Sequence, residues 1–392
     1  MARFFIGDNA PKDRLIGSET QDSSKSFIAS RFIENFQTLQ SIYPEIDVRA
    51  PGGKVQMYEK AYKEIPGMYD VGAVNILIGN YDFHLENIGG VTKDKSRPDV
   101  REAAAIDFGK ALNFQLVPSD LAFICSDKMK AEDKPQVGQP LKPADLMRAL
   151  HGEPYEFSSP IFLNEEFAKA LNRISDKVEQ NPGHFERIVR STAEKIKSQM
   201  TESQMQGIFE QISPQANYAN FADEMVKAAK QRVVDMKEFA LDINVQVALK
   251  DNDHKKLDAL LKDNPQLLEK PIKWLAETND PQIPKASTIA EYAKATGRSA
   301  GVMEVIDKHS PQKEKTPPLT ATTQVVDAEK PKIAAAPTGS QSTLPKTPVH
   351  TDEMPVNTSH PVVGSGKFTG RLKEAETANG TNKATGQTIL AH

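Results

Sequence analysis

The 392-residue chain has a single cysteine, Cys125, which excludes an intramolecular disulfide and any cysteine-rich zinc site and fits a reducing compartment. No apolar run approaches the 18 or more residues of a membrane span. The opening Met1-Ala2-Arg3-Phe4-Phe5-Ile6-Gly7-Asp8 is too short an apolar stretch for a signal peptide, so a cytoplasmic protein without a classical export leader is expected. Neither sign of charge dominates: the formal net charge is -4 at pH 7. Binding to nucleic acid by counterion release needs a strongly basic surface, so nucleic acid is not an expected partner. Hydrophobic residues make up 38%, below the roughly 45–50% of a wholly globular chain. Part of the length is therefore expected to lack a core.

That part is the C-terminal stretch 310–392, rich in Thr, Pro, Ala, Ser, Gly and Lys, with Phe368 its only aromatic. Such a composition buries too little apolar surface to offset ordering entropy, and disorder is expected. From Phe157 to Phe239 the pattern is helical: Phe167, Leu171 and Ile174, then Phe185, Ile188 and Val189, recur every three or four residues. Asn181-Pro182-Gly183 and Ser213-Pro214 punctuate it. At about residue 244 the style changes, with Val245 to Asp253 leading into Leu257, Leu260 and Leu261, and Ser287 to Ala293 preceding Val302, Val305 and Ile306. These two pieces, within 244–309, resemble helix pairs of degenerate ankyrin repeats, which implies a protein-binding module; an ordinary helical hairpin has the same ridges.

The N-terminal third reads as mixed α and β. Phe27, Ile28, Phe32, Phe36 and Leu39 predict one amphipathic helix over Ser24 to Tyr43. Extended stretches are expected at Ile46 to Arg49 and Lys54 to Glu59, around the turn Pro51-Gly52-Gly53. Val71 to Gly79 is apolar enough for a buried helix.

That helix leads into Leu77-Ile78-Gly79-Asn80-Tyr81-Asp82-Phe83-His84-Leu85-Glu86-Asn87-Ile88, followed after a charged loop by Ala105-Ile106-Asp107-Phe108-Gly109. Phosphoryl transfer from ATP needs a divalent metal on the phosphates, oxygen ligands for that metal and a carboxylate that orients the attacking hydroxyl. Asp82, Asn87 and Asp107 can meet these needs if a β-ribbon after Asn87 returns Asp107 to the same cleft, with Gly109 easing the backbone. Against this stands a plainer reading, in which Asp-x4-Asn is a capped loop and Asp-Phe-Gly occurs by chance.

The Asp-x4-Asn spacing followed by Asp-Phe-Gly resembles the protein-kinase-like superfamily. Leu77 to Asn87 looks most like the loop of HipA-like kinases and that of phosphoinositide kinases, in both of which the histidine follows the aspartate by two residues, as His84 does here. Ile106-Asp107-Phe108-Gly109 is closer to the phosphoinositide kinases. The resemblance implies an α+β kinase-like core, with an abbreviated N-lobe at 1–70 and a helical C-lobe at 71–243. It implies Asp82 as the catalytic aspartate, His84 as its neighbour, Asn87 and Asp107 as magnesium ligands beside ATP, and a phosphoinositide or protein hydroxyl as acceptor. With the ankyrin-like pairs and the tail, the layout also resembles secreted effectors of intracellular bacterial pathogens, which implies delivery into a host cell by a leaderless route as the alternative location.

Departures from the superfamily pattern support a second hypothesis, an inactive pseudokinase scaffold that binds a protein partner. Only 81 residues precede Asp82, and they contain neither a Gly-x-Gly-x-x-Gly loop nor a Val-Ala-x-Lys strand. Arg3, Lys12 and Arg14 are the basic residues ahead of the first expected helix, and Glu34, Glu19 or Glu45 would be the ion-pairing glutamate. Tyr58, with Met57, fits either a strand contacting adenine or an amphipathic edge strand. Glu86 reads as solvated or as an aid to metal or substrate, His151 as part of a turn, and Trp274 as helix packing. Lys128 to Lys134 is a solvated loop or a basic face for a phosphoinositide headgroup.

Overall fold

The computed structural model describes residues 1–17, 26–97, 99–108, 111–117, 136–149, 161, 163–271, 288–310 and 388–390. These belong to one unit, Met1–Pro311 with Thr385–His392. Gly109, Cys125, Lys128 to Lys134, His151, Trp274 and nearly all of the tail from 311 lie outside the described residues. The class is mixed α+β and mostly helical, with two small antiparallel sheets. No helix among the described residues is long and apolar enough to cross a membrane.

The N-terminal third differs from expectation. After the short helix α1 (Ala2–Ile6), strands β1 (Lys12–Gly17) and β2 (Ser26–Arg31) form an antiparallel pair, with Leu15 opposite Ile28. The stretch Ser24 to Tyr43 is therefore not one helix: it holds β2, β3 (Phe36–Thr38) and the one-turn helix α2 (Leu39–Ile42). Its apolar spacing fits a helix as well as a strand, and pairing with β1 decides between them, a tertiary override of local pattern. Glu34 is exposed in a turn.

The converse error lies at Lys54 to Glu59, which opens helix α3 (Gly53–Glu64). Met57, Tyr58, Ala61 and Tyr62 are buried, and Ile65 beyond them as well. Over twelve residues that spacing is helical, whereas its first six also pass for alternation. Tyr58 is thus a core residue, 1% exposed, and not a strand residue facing adenine.

Helix α4 (Met68–Leu77) buries eight of its ten residues. It packs against α6 (Glu165–Gln180), whose Phe167, Leu171 and Ile174 form the expected stripe, with Val178 buried beyond them. Strands β4 (Ile88–Thr92) and β5 (Arg101–Ala105) then form the anticipated ribbon, pairing Ile88 with Ala105 and Thr92 with Arg101, while β3 covers the other edge of β4. Helices α5 (Pro143–Ala149), α7 (Pro182–Gln199), α8 (Gln206–Ile212) and α9 (Phe221–Lys250) complete the block. Pro182 opens α7 as an N-terminal residue should, and Ser213 caps α8.

No break occurs at 244, because α9 runs through it. Ile243 and Val247 belong to the main core, whereas Val245, Ala248 and Leu249 join a second one. That second core holds Leu257 and Leu261 of α10 (His254–Asp263), Tyr292 of α11 (Ile289–Ala295) and Val302 and Ile306 of α12 (Ala300–His309). The change of style marks a change of core within one helix. At the far end, β6 (Thr388–Leu390) pairs with β2, so this part of the expected disordered tail is a strand.

Three tyrosines tie this packing to pH. Burial, and then the nearby Glu64, pushes the Tyr43 hydroxyl up to about 12, and burial, helped by Glu166, pushes Tyr69 up to about 12. Burial also raises Tyr62, whose ring lies 4.7 Å from that of Tyr69. The unfolded chain releases these protons near pH 10 and the folded chain holds them longer, so stability falls as pH rises through that window. A melting series from pH 8 to 11.5 is expected to decline steeply above about pH 10. Phenolate absorbance at 295 nm should lag behind that of free tyrosine; complete ionisation near pH 10 with the fold intact would contradict the assignment.

Candidate active site

The Leu-Ile-Gly-Asn run is a helix terminus. Gly79 adopts φ 65°, its N–H donates to the Ile76 carbonyl at 3.1 Å, and the Asn80 N–H reaches back to the Asn75 carbonyl at 2.9 Å. Together these bonds form the Schellman arrangement that closes α4. From there the chain alternates: Tyr81, Phe83 and Leu85 are buried, while Asp82, His84 and Glu86 point the other way. Three apolar anchors thereby hold three polar side chains outward.

Asp82 and His84 form a pair. His84 Nε2 lies 3.5 Å from Asp82 Oδ1, with the two side chains 41% and 35% exposed, open enough to meet a substrate. The Glu86 N–H donates to His84 Nδ1 at 3.3 Å. In a neutral imidazole that bond makes Nδ1 the acceptor and places the ring proton on Nε2, the nitrogen facing Asp82. The exposed Glu86 side chain takes no part in this bond, which its backbone makes.

Asn87 is buried, and its Nδ2 donates to the Asp82 carbonyl at 2.9 Å. Its own carbonyl accepts from the Ile106 N–H at 2.8 Å. The β4–β5 ribbon thus returns Asp107 to within one residue of Asn87. Asp107 sits at φ 54°, a left-handed conformation that costs most residues energy and that aspartate tolerates better than most. Phe108 packs against the main core. Beyond it, the Leu112 N–H meets the Ile78 carbonyl at 2.7 Å, and the Asn113 N–H and Nδ2 both reach the Gly79 carbonyl, each at 3.2 Å. The segment carrying Asp107 and the loop carrying Asp82 are therefore laced together at both ends.

Four residues of this framework were assigned no role by the sequence, although Asn80 belongs to the loop Leu77 to Asn87. Asn75 and Asn80 are both buried; Asn80 Nδ2 donates to Asn75 Oδ1 at 2.7 Å, Asn75 Nδ2 donates to the Val71 carbonyl, and Asn80 Oδ1 accepts from the Asp82 N–H at 3.3 Å. The available signal was a polar amide inside an otherwise apolar helix, which must be hydrogen-bonded to be tolerated. Asn113 and Arg232 are the others: from α9, Arg232 donates Nη1 to the Ile76 carbonyl at 2.9 Å and Nη2 to the Asn113 carbonyl at 3.4 Å. Burial pulls its guanidinium down to about 10.

Asn80→Ala is expected to cost about 2 kcal/mol in urea unfolding, because it strands the buried Asn75 oxygen. The double variant Asn75→Ala/Asn80→Ala should cost less than the sum of the single changes. Strict additivity would show that the two amides do not act as a unit.

Of the basic residues ahead of β2, Arg3 is occupied by Asp8 and the Ala10 carbonyl, and Lys12 is exposed. Glu45 is held by Lys60 at 2.6 Å, and that ammonium lies 4.8 Å from the centre of the Tyr43 ring. No three of His, Cys, Asp and Glu gather in a metal-sized group among the described residues. Asp107 and the Asn87 amide oxygen are hard donors of the kind magnesium takes, one or two at a time, with phosphates and water completing its shell. Set against known proteins, the chain matches no family model, no curated protein and no solved structure.

Proposed function

We propose that the chain is an ATP- and magnesium-dependent phosphotransferase of kinase-like type. The observation that carries this reading is the double tether around Asn87, whose side chain binds Asp82 and whose carbonyl binds the strand end leading to Asp107. Asp82 would orient the acceptor hydroxyl and take its proton, with the His84 Nε2–H steadying the carboxylate. Asn87 Oδ1 and Asp107 would hold the magnesium, which neutralises the nucleotide phosphates when bound. The strained backbone of Asp107 supports a functional role, since such conformations concentrate at sites where geometry matters more than stability. An inositol lipid is the favoured acceptor, on the Ile-Asp-Phe-Gly resemblance, with a protein hydroxyl second.

Purified full-length chain is expected to melt higher with saturating Mg-ATP than with ATP and EDTA. It is also expected to transfer radiolabel from γ-labelled ATP to a member of a panel of phosphoinositides and proteins, with Asp82→Ala inactive. An unchanged rate in Asp82→Ala contradicts its assigned role. Absence of any Mg-ATP-dependent shift leaves the second reading, a helical scaffold binding a protein partner, for which the occupied Arg3 speaks.

A further inference from the structure

Among the described residues, the buried Arg232 has no carboxylate beside it. It is 2% exposed, its two hydrogen bonds go to neutral carbonyl oxygens, and its guanidinium lies 5.3 Å from the centre of the Phe114 ring. Among the described residues no acid lies within ion-pair distance of it; Asp235 and Asp145 act on it only from farther off. A buried charge left in this state destabilises the fold unless another group compensates it.

Arg232 is among the residues lining a cavity of about 330 Å³ between α9, α8 and the strand-like segment around Phe114. Phe114, Leu141, Ile212 and Pro214 give it an apolar wall, and its size falls in the range of small-molecule sites. Two acids also line it, but each already has a lysine: Asp235 is held by Lys142 at 3.1 Å and by Gln231, and Glu224 faces Lys227 at 3.8 Å. Among the described residues, Arg232 is the lining charge with no such partner.

We propose that this cavity binds a small organic anion, a carboxylate or phosphate on an apolar body, with its acid group against Arg232. A planar guanidinium fork suits either acid group, and the apolar wall opposite suits a ring or short alkyl body. The site is independent of the phosphotransferase reading. It adjoins that centre nonetheless, because the same guanidinium holds the carbonyls of Ile76 and Asn113 at the foot of the Asp82 loop.

The test uses the full chain titrated calorimetrically with benzoate, phenyl phosphate and the neutral benzyl alcohol. At least one of the two acids is expected to bind saturably at one per chain, and which of them binds tighter identifies the acid group. Benzyl alcohol is expected not to bind, and affinity should fall at least about tenfold in Arg232→Gln. Since Arg232 also supports the fold, Ala228→Phe is run beside it; Ala228 is a partly buried lining residue whose enlargement fills the cavity and should abolish binding in a folded chain. Binding should persist in Asp107→Asn, which separates this cavity from the nucleotide site. The proposal is overturned if neither acid binds, if benzyl alcohol binds as well as the acids, if Ala228→Phe binds unchanged, or if Asp107→Asn abolishes binding.

Discussion

Phosphoryl transfer from Mg-ATP should fall at least about a thousandfold in Asp107→Asn, while the melting temperature of the ligand-free chain moves by no more than about 2 °C. Asparagine keeps the shape of aspartate and, like it, is tolerated in the left-handed conformation that position 107 adopts at φ 54°. What it removes is the charge that would hold magnesium against the phosphates. Asp107→Ala removes the charge too, but also the short polar side chain whose local hydrogen bonding makes the left-handed conformation tolerable, costing roughly a further 1 kcal/mol in stability. The pair therefore separates two roles of one residue: equal losses of transfer with unequal melting temperatures are the expected signature. Initial rates of radiolabel transfer and calorimetric melting read them directly. If Asp107→Asn keeps more than about a tenth of the wild-type rate, Asp107 is not a metal ligand in the reaction.

The second large effect concerns Gly79, for which the chain supplies its own control. Gly79 and Gly297 both sit at φ 65° and both close a helix by the same bonding pattern, with Arg298 N–H reaching the Ala293 carbonyl as Asn80 reaches Asn75. They differ in their surroundings. A β-carbon at Gly297 meets nothing within 4 Å, whereas one at Gly79 would overlap the Asn113 carbonyl. Gly297→Ala should cost about 1 kcal/mol, the price of the backbone conformation alone. Gly79→Ala must in addition push Asn113 away from Gly79 and strain the Arg232 contact, and a total loss above about 4 kcal/mol is expected. Urea unfolding of the two variants measures the difference. Equal costs would mean that the segment from Leu112 to Asn113 does not press on the Asp82 loop.

The centre of the molecule was legible in the sequence and its edges were not. Helix α4, the loop to Asn87 and the ribbon back to Asp107 could be read because each is determined locally: an apolar run with one glycine stop, alternation over Tyr81 to Glu86, and two short apolar strands around a charged turn. The N-terminal strands could not, because Ser26–Arg31 carries a pattern compatible with either structure and acquires its identity from Lys12–Gly17. Lys54 to Glu59 alternates like a strand over its six residues, and only the longer window Gly53–Glu64 shows the helical spacing. Arg232 gave no signal at all. In Lys230-Gln231-Arg232 it stands among solvent-facing neighbours, Lys230 and Gln231 being exposed, and only the tertiary position of α9 turns it inward onto α4.

The thirty-residue helix Phe221–Lys250 also bears on how such a protein comes apart and how it could be recombined. Its last turns contribute Val245, Ala248 and Leu249 to the C-terminal cluster while Ile243 and Val247 remain in the larger one. The terminal helices are therefore not a detachable cassette: excised at 244, they would carry Val247 of the larger cluster away with them. Heat or denaturant should melt both clusters in one concerted step instead of peeling the end away first.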